Sequence, residues 1–381
     1  MRYYIIAGEA SGDLHASNLI KELRLLDNNA IFRCWGGDLM KAQGADLVRH
    51  YKDTAYMGFL EIIKHLPDIF KNINFCKQDI LQFKPDALIL VDYPGFNLRI
   101  AEFAKKQLLR TTNYKLRTFY YISPQVWAWK SSRVKKIKKF VDKMFVILPF
   151  EKNFYKKYDY DVEFVGHPLL DAIENYKHEF NSQFSILNSQ FPIVAFLPGS
   201  RKQEISKMLS IMLKVIPSFQ DYQFVIAAAP SIPKKFYDEY TTNLQSPISN
   251  LSIVYNNTYN LLSHSVAAIV TSGTATLETA IFEVPEVVCY KGSGFSYMLA
   301  KHLIKVKYIS LVNLIMDKKV VTELIQDDLT VDNIKQELNK LLNDKEKQSQ
   351  LSTDYKQLKH ILGDSGASRK TAQAIFNLVK N

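Results

Sequence analysis

The stretch that most constrains this chain is Ile193 to Ile211, IVAFLPGSRKQEISKMLSI. Ile193 to Leu197 are all apolar and lie between Pro192 and Pro198, which predicts a short strand buried on both faces. Pro198-Gly199-Ser200-Arg201 then reads as a tight turn, and Ile205, Met208, Leu209 and Met212 recur at helical spacing. A strand, turn and helix in that order aim backbone N–H groups and the positive end of a helix dipole at one point, where Arg201 adds a fixed charge. An anion, most naturally a phosphate, suits that point. An ordinary strand-to-helix loop with a surface arginine is the competing reading, and the turn alone does not choose between them.

The same grammar opens the chain. Tyr3 to Ala7 is apolar, Gly8-Glu9-Ala10-Ser11-Gly12-Asp13 forms a small-residue turn, and a helix follows through Leu26. Two such units in 381 residues predict an α/β protein of two Rossmann-like domains. Gly8 and Gly12 are separated by three residues, which does not fit the dinucleotide fingerprint GxGxxG. Further strands are expected at Ile31 to Trp35, Ala87 to Val91, Thr118 to Ile122 and Met144 to Leu148. In the second half they are expected at Gln223 to Ala228, Leu251 to Val254, Ala267 to Val270 and Val287 to Tyr290. Helical patterns lie between, so both sheets should be parallel. The expected division is a first domain over 1–170, a linker over 171–190, a second domain over 191–362, and a C-terminal helix over 363–381 packing back on the first domain.

Bulk properties narrow the function classes without choosing one. A formal charge of +11 and six basic residues within Lys130 to Lys139 predict attraction to polyanions: nucleic acid, an anionic membrane surface or phosphorylated substrates. No apolar run approaches the roughly 20 residues that cross a bilayer. Tyr3 to Ala7 is too short for a signal-peptide core, so no export is expected. Cys34, Cys76 and Cys289 have no metal or CxxC spacing and read as buried small residues in a reducing compartment. Asp159-Tyr160-Asp161 has the DxD spacing of some metal-using transferases, but its surroundings read as a surface turn, so no metal and no cofactor are expected.

In open parallel sheets ligands gather at the carboxyl ends of the strands, which singles out Glu9 to Asp13, Asp92 to Asn97 and Ser123 to Trp129. Asp92 follows ALILV and is either a cap of the next turn or a general base facing a cleft. Trp127 and Trp129, if extended, would present both rings to one side, as a wall for a sugar or acyl chain or as core. Lys130, Arg133 and Lys136 share a helical face suited to a phosphate. Between Met57 and Phe75 an apolar stripe carrying Leu60, Ile62, Ile63, Leu66, Ile69 and Phe70 is interleaved with lysines. It either packs on the sheet or rests on an anionic membrane. In the second half, Ser272-Gly273-Thr274-Ala275 at a helix start can approach a diphosphate, and Glu278 one turn on can accept from two ribose hydroxyls. Helix capping is the alternative for these residues.

Taken in order, GEASGD at 8–13, MGFLEI at 57–62, VDYPGFN at 91–97, SPQVWAWK at 123–130, LPFE at 148–151, VGHPL at 165–169, LPGSR at 197–201, SGTATLE at 272–278 and SLVNL at 310–314 closely resemble the lipid-A-disaccharide synthase family, over nearly the whole length. The resemblance implies a GT-B glycosyltransferase whose two domains face a cleft. It implies an inverting transfer from UDP-2,3-diacylglucosamine to 2,3-diacylglucosamine 1-phosphate, giving a β-1,6-linked tetraacyl disaccharide 1-phosphate and UDP. The family's base falls on Asp92, with Glu9 and Asp13 as competing carboxylates. Gly199, Ser200, Arg201, Ser272, Gly273, Thr274, Ala275 and Glu278 match its UDP-binding region, with Asn313 nearby. The 60–70 stripe matches a patch held against the cytoplasmic face of the inner membrane, so the implied location is cytoplasmic and peripheral, with no nucleic-acid partner and with a homodimer left open. Gly95 stands where many members carry a second acid, and Thr276 replaces a common alanine. The rival readings are a GT-B relative acting on a soluble sugar nucleotide, such as a UDP-sugar 2-epimerase, and a basic nucleic-acid-binding protein using Lys130 to Lys139.

Overall fold

The computed structural model describes residues 1–53, 66–108, 116–128, 131–179, 191–241, 249–292 and 307–380. The chain forms two compact units, Met1–Lys177 together with Leu362–Asn381, and His178–Ile361. In the first the elements run β1 (Arg2–Ala7), α1 (Ala10–Leu26), β2 (Ile31–Gly36), α2 (Asp38–Ala42), β3 (Asp46–His50), α3 (Leu66–Phe83), β4 (Ala87–Val91), α4 (Pro94–Leu108), β5 (Arg117–Tyr121), α5 (Arg133–Phe140), β6 (Lys143–Val146), α6 (Pro149–Lys156), β7 (Glu163–Phe164) and α7 (Pro168–Glu179). The strands form one parallel sheet in the order β3-β2-β1-β4-β5-β6-β7. Alternation along each central strand splits the side chains between two cores. Tyr4, Ile6, Leu88, Leu90, Tyr120 and Met144 face one, and Tyr3, Ile5, Ile89, Val91, Phe119 and Phe145 face the other. Continuous apolar strands are what a sheet covered on both sides requires, and each fully buried Ile or Leu contributes roughly 1.5–3 kcal/mol.

The second unit runs β8 (Ile193–Leu197), α8 (Lys202–Met212), β9 (Gln223–Ala228), α9 (Lys234–Thr241), β10 (Leu251–Tyr255), α10 (Thr258–Ser263), β11 (Ser265–Thr271), α11 (Thr274–Ile281), β12 (Glu286–Tyr290), α12 (Leu311–Met316), β13 (Thr322–Ile325), α13 (Val331–Asn343) and α14 (Lys345–Leu362). Its sheet is also parallel, ordered β10-β9-β8-β11-β12-β13. The last helix, α15 (Ala367–Lys380), returns to the first unit and lies along α1. Its first turn is held by Asp171 of α7, whose carboxylate accepts from the N–H groups of Gly366, Ala367 and Ser368 at 2.6, 3.1 and 2.8 Å.

Three strands lie outside the sequence reading: β3, β7 and β13. Each is short and incompletely buried at or toward a sheet edge, so its residues mix polar and apolar without the solid hydrophobic run that marks the central strands. The stripe residues Leu60, Ile62 and Ile63, Trp129 and Lys130, and residues 180–190 of the expected linker lie outside the described residues. The DxD triplet falls in the turn after α6, where Asp159 has a left-handed φ of 52° and Asp161 lies 3.6 Å from Lys143.

Candidate functional site

In each sheet the strand order reverses once, between β1 and β4 and between β8 and β11. Such a reversal opens a crevice at the carboxyl ends of the two strands, because their following helices leave to opposite faces. In the first unit those ends carry Gly8-Glu9 and Asp92. In the second they carry Pro198 to Arg201 and Ser272 to Ala275.

Asp92 sits at the end of β4 in a strained backbone. Asp92 and Tyr93 both take left-handed φ values, 42° and 48°, which cost non-glycine residues about 1–3 kcal/mol each. Surrounding groups hold the turn. The buried Asn97 amide donates to the carbonyls of Asp92 at 2.8 Å and Val91 at 3.2 Å, the Tyr120 hydroxyl donates to the Asp92 carbonyl at 2.5 Å, and the Asp92 N–H donates to the Tyr121 carbonyl at 3.2 Å. The Tyr93 ring covers Gly8 so closely that a Cβ there would lie 2.4 Å from the ring, which accounts for glycine at that position. Asp92 itself reaches solvent, yet protein atoms crowd its carboxyl. Desolvation first, and the charge of Glu9 second, push its pKa up to about 7, against a backbone hydrogen bond from Tyr93 that lowers it. An accessible carboxyl poised near neutrality suits a general base.

The other candidates in this unit diverge. Glu9 precedes α1 in extended backbone, close enough to Asp92 for the charge coupling just described. Asp13 corrects the expectation of a catalytic competitor: it is buried, and its carboxylate accepts from the N–H groups of Gly37, Leu39 and Met40 at 2.8, 3.1 and 3.1 Å, so it ties α1 to the start of α2. The described part of the tryptophan segment, 123–128, is a turn and not extended. Pro124 starts it, Val126 and Ala128 donate back to the carbonyls of Pro124 and Gln125, and the Trp127 ring meets Phe150 edge-on at 5.0 Å. Arg133 is half-buried within electrostatic reach of Tyr120 and Arg99, while Lys136 points to Glu102 at 3.5 Å. Sequence reasoning missed Tyr120, which the strand pattern presents as one more core aromatic; only its strand-end position hints at its second task.

In the second unit the register pairs Val270 with Leu197, so the turns at 198–201 and 272–275 are neighbours on one side of the sheet. Gly199 has φ 116°, a conformation that favours glycine, and Arg201 is the exposed cap residue before α8. One expectation needs correction here: the Ser200 N–H is not open, because the Glu204 carboxylate accepts it at 3.2 Å. Ser272 is anchored through its N–H to the Cys289 carbonyl and through its hydroxyl to the Ile309 carbonyl. Gly273 and Thr274 are exposed, Ala275 is partly so, and Thr274 begins α11. Buried at the same strand end, the Thr271 hydroxyl has no hydrogen-bond partner among the described residues. One turn into α11, Glu278 makes no side-chain hydrogen bond or ion pair among the described residues, and desolvation pushes its pKa up to about 7. Asn313 departs from its expected role. It is fully buried, its amide donates to the Val321 carbonyl and Glu323, and its oxygen accepts from Val320 and Val321, so all its capacity is spent inside the fold.

Of the apolar stripe, the described part opens α3. Leu66 and Phe70 are 40% and 53% exposed, whereas Ile69 packs on the core with Ile73, Cys76 and Ile80 beneath. No helix among the described residues is long and apolar enough to cross a membrane.

A family model described as lipid-A-disaccharide synthetase matches residues 3–377. The lipid-A-disaccharide synthase of Syntrophus aciditrophicus (strain SB) is 36% identical over 382 residues, covering 99% of this chain and 97% of that protein. Lipid-A-disaccharide synthase 1 of Legionella pneumophila (strain Paris) is 37% identical over 385 residues, covering 99% and 96%. Among solved structures, the UDP-GlcNAc 2-epimerase from Neisseria meningitidis bound to UDP-GlcNAc superposes with a TM-score of 0.68 at 13% identity over the whole of both chains. The calicheamicin glycosyltransferase does so with 0.59 at 14% identity, covering 99% and 98%. At those identities the likeness is one of fold.

Proposed function

This chain belongs to the lipid-A-disaccharide synthetase family, and from that premise we propose which of its residues perform the transfer that makes the lipid A disaccharide. The chain is a glycosyltransferase. The epimerase likeness rests on 13% identity and speaks for the shared architecture, whereas the family match runs through 3–377. The observation that carries the site assignment is the pairing of the two small-residue turns at the β8–β11 reversal, with Glu278, which makes no side-chain hydrogen bond among the described residues, one turn behind.

The donor is UDP-2,3-diacylglucosamine. Its diphosphate lies against the turns at 198–201 and 272–275, with backbone amides, the start of α11 and the Arg201 charge facing it, and Glu278 accepts from the ribose hydroxyls. The acceptor is 2,3-diacylglucosamine 1-phosphate. Asp92 takes the proton from its 6-hydroxyl as that oxygen attacks the anomeric carbon from the face opposite the UDP. The bond to the diphosphate breaks with its electron pair leaving on UDP, whose growing charge is met by Arg201 and the helix start. Glu9 raises the basicity of Asp92 by its charge. Arg133 of α5, beside Tyr120, is suited to the acceptor phosphate.

The decisive assay supplies both diacylated sugars and follows UDP and disaccharide; absence of both products with competent substrates would reject this reading. For the base, Asp92→Asn is expected to keep UDP affinity while turnover falls about 10²–10⁴-fold, the usual range for a lost general base. Near-normal turnover would move the role elsewhere. Because the base acts deprotonated, kcat/KM should rise as pH passes through about 7. The exposed Leu66 and Phe70 and the net charge of +11 support peripheral contact with an anionic membrane. Replacing Ile62, Ile63 and Phe70 with Ser should weaken sedimentation with anionic vesicles, and unchanged binding by a folded variant would count against that contact.

A further inference from the structure

We infer that Asn97 and Tyr120 are positioning residues for the carboxylate of Asp92, holding the backbone of the Asp92–Tyr93 turn in its left-handed form from beneath. The inference rests on the reading of Asp92 as base and adds to it the groups that aim it. Two consecutive non-glycine residues at φ 42° and 48° do not stay there unaided. The peptide carbonyl that leaves Asp92 receives two donors, the Asn97 amide at 2.8 Å and the Tyr120 hydroxyl at 2.5 Å. The same amide reaches the Val91 carbonyl at 3.2 Å and the Ile6 carbonyl of the neighbouring strand at 3.4 Å, so one side chain spans both strand ends of the reversal. On the far side Tyr93 is pinned, its carbonyl accepting from Phe96 and Asn97 N–H and its ring stacked on Phe96 at 5.5 Å.

The amide oxygen of Asn97 points the same way. It is buried with no partner among the described residues, a cost that an apolar or smaller residue would avoid. A fold keeps such an orphan acceptor when the donors on the other atom are needed, and here they reach the carbonyls of Asp92, Val91 and Ile6 at the two strand ends. Tyr120 is likewise fully buried, and its hydroxyl donates to the backbone carbonyl of Asp92 at the site. Neither side chain is placed to touch a sugar; each acts through Asp92.

The test uses the full-length enzyme with both lipid substrates and compares Tyr120→Phe, Asn97→Ser, Asp92→Asn and the double variant Asp92→Asn with Tyr120→Phe. Tyr120→Phe keeps the ring and removes one donor. It should melt close to wild type, bind UDP equally and keep each KM within about twofold, while kcat falls about tenfold, the scale of one misdirected hydrogen bond. The rise of kcat/KM with pH should also move from its wild-type position, which a purely structural role would not produce. Added to Asp92→Asn, the same change should cost nothing further, because its effect passes through the group already removed. Asn97→Ser should behave like Tyr120→Phe; if it does not fold, Tyr120→Phe decides alone. Wild-type kcat and pH profile in Tyr120→Phe, or losses that multiply in the double variant, overturn the inference while an inactive Asp92→Asn leaves the base in place. Near-normal turnover of Asp92→Asn itself removes the base reading and the inference together.

Discussion

At Glu278 a carboxyl group is crowded by protein and makes no side-chain hydrogen bond among the described residues, so its proton is held up to about pH 7 by desolvation. Hydroxyl groups that donate to it favour the charged form and lower that value, so UDP binding should release a proton. At pH 7 the expected yield is roughly half a proton per UDP, read from calorimetry in two buffers of different ionisation heat. Proton uptake, or none released, would remove Glu278 from the ribose. Glu278→Gln should weaken UDP roughly 10-fold to 100-fold, as for the loss of charge-assisted hydrogen bonds. The position of Glu278, one turn past a small-residue helix start, was legible in the sequence, with helix capping as the competing task. Asn313 and Asp13 were not, because each is spent on backbone groups that no local pattern announces. Asp13 needs the N–H groups of residues 37–40, and Asn313 needs those of Val320 and Val321. A motif letter marks a demanding position without saying whether the demand comes from substrate or from fold.

Among the elements, the central strands and their turns could be read ahead because a strand buried on both faces leaves a solid apolar run, and the switch point follows from strand order. One central strand carries an exception. β12 begins at Glu286, which is 1% exposed, and neither carboxyl oxygen has a hydrogen-bond partner among the described residues; the buried Tyr355 of α14 lies within electrostatic reach of it. Burial raises the Glu286 pKa well above the ordinary carboxylate range. Between the unfolded value and that raised value the folded chain holds a proton the unfolded chain has lost. Stability from this group is therefore full in acid and is lost as pH rises, at about 1.4 kcal/mol per pH unit within that window. Glu286→Gln, which cannot ionise, should raise the melting temperature more at pH 8 than at pH 5. Parallel pH profiles for the two proteins would show that the carboxyl is not protonated in the fold.

For the whole molecule, the chain closes its first unit last: residues from Leu362 onward belong to the unit that Met1 begins. The docking of α15 on α1 therefore fastens the two ends of the sequence together, and Asp171 is the fastener, with one carboxylate on three N–H groups of the helix start. No sequence pattern announces that clamp, since Asp171 lies almost 200 residues from the N–H groups it binds and reads locally as an ordinary first-turn acid of α7. Asp171→Ala leaves those donors without their acceptor near a buried surface and should cost the first unit roughly 2–3 kcal/mol, the range for hydrogen bonds to a charged group. The second unit has its own sheet and core and none of these bonds. Calorimetry should therefore show the transition of the first unit moving down while that of the second stays, with UDP raising the second in wild type and variant alike. Hydrogen exchange should localise the loss to the backbone amides of α15. Equal displacement of both transitions, or undiminished protection of α15, would show that Asp171 is not what holds the returning helix.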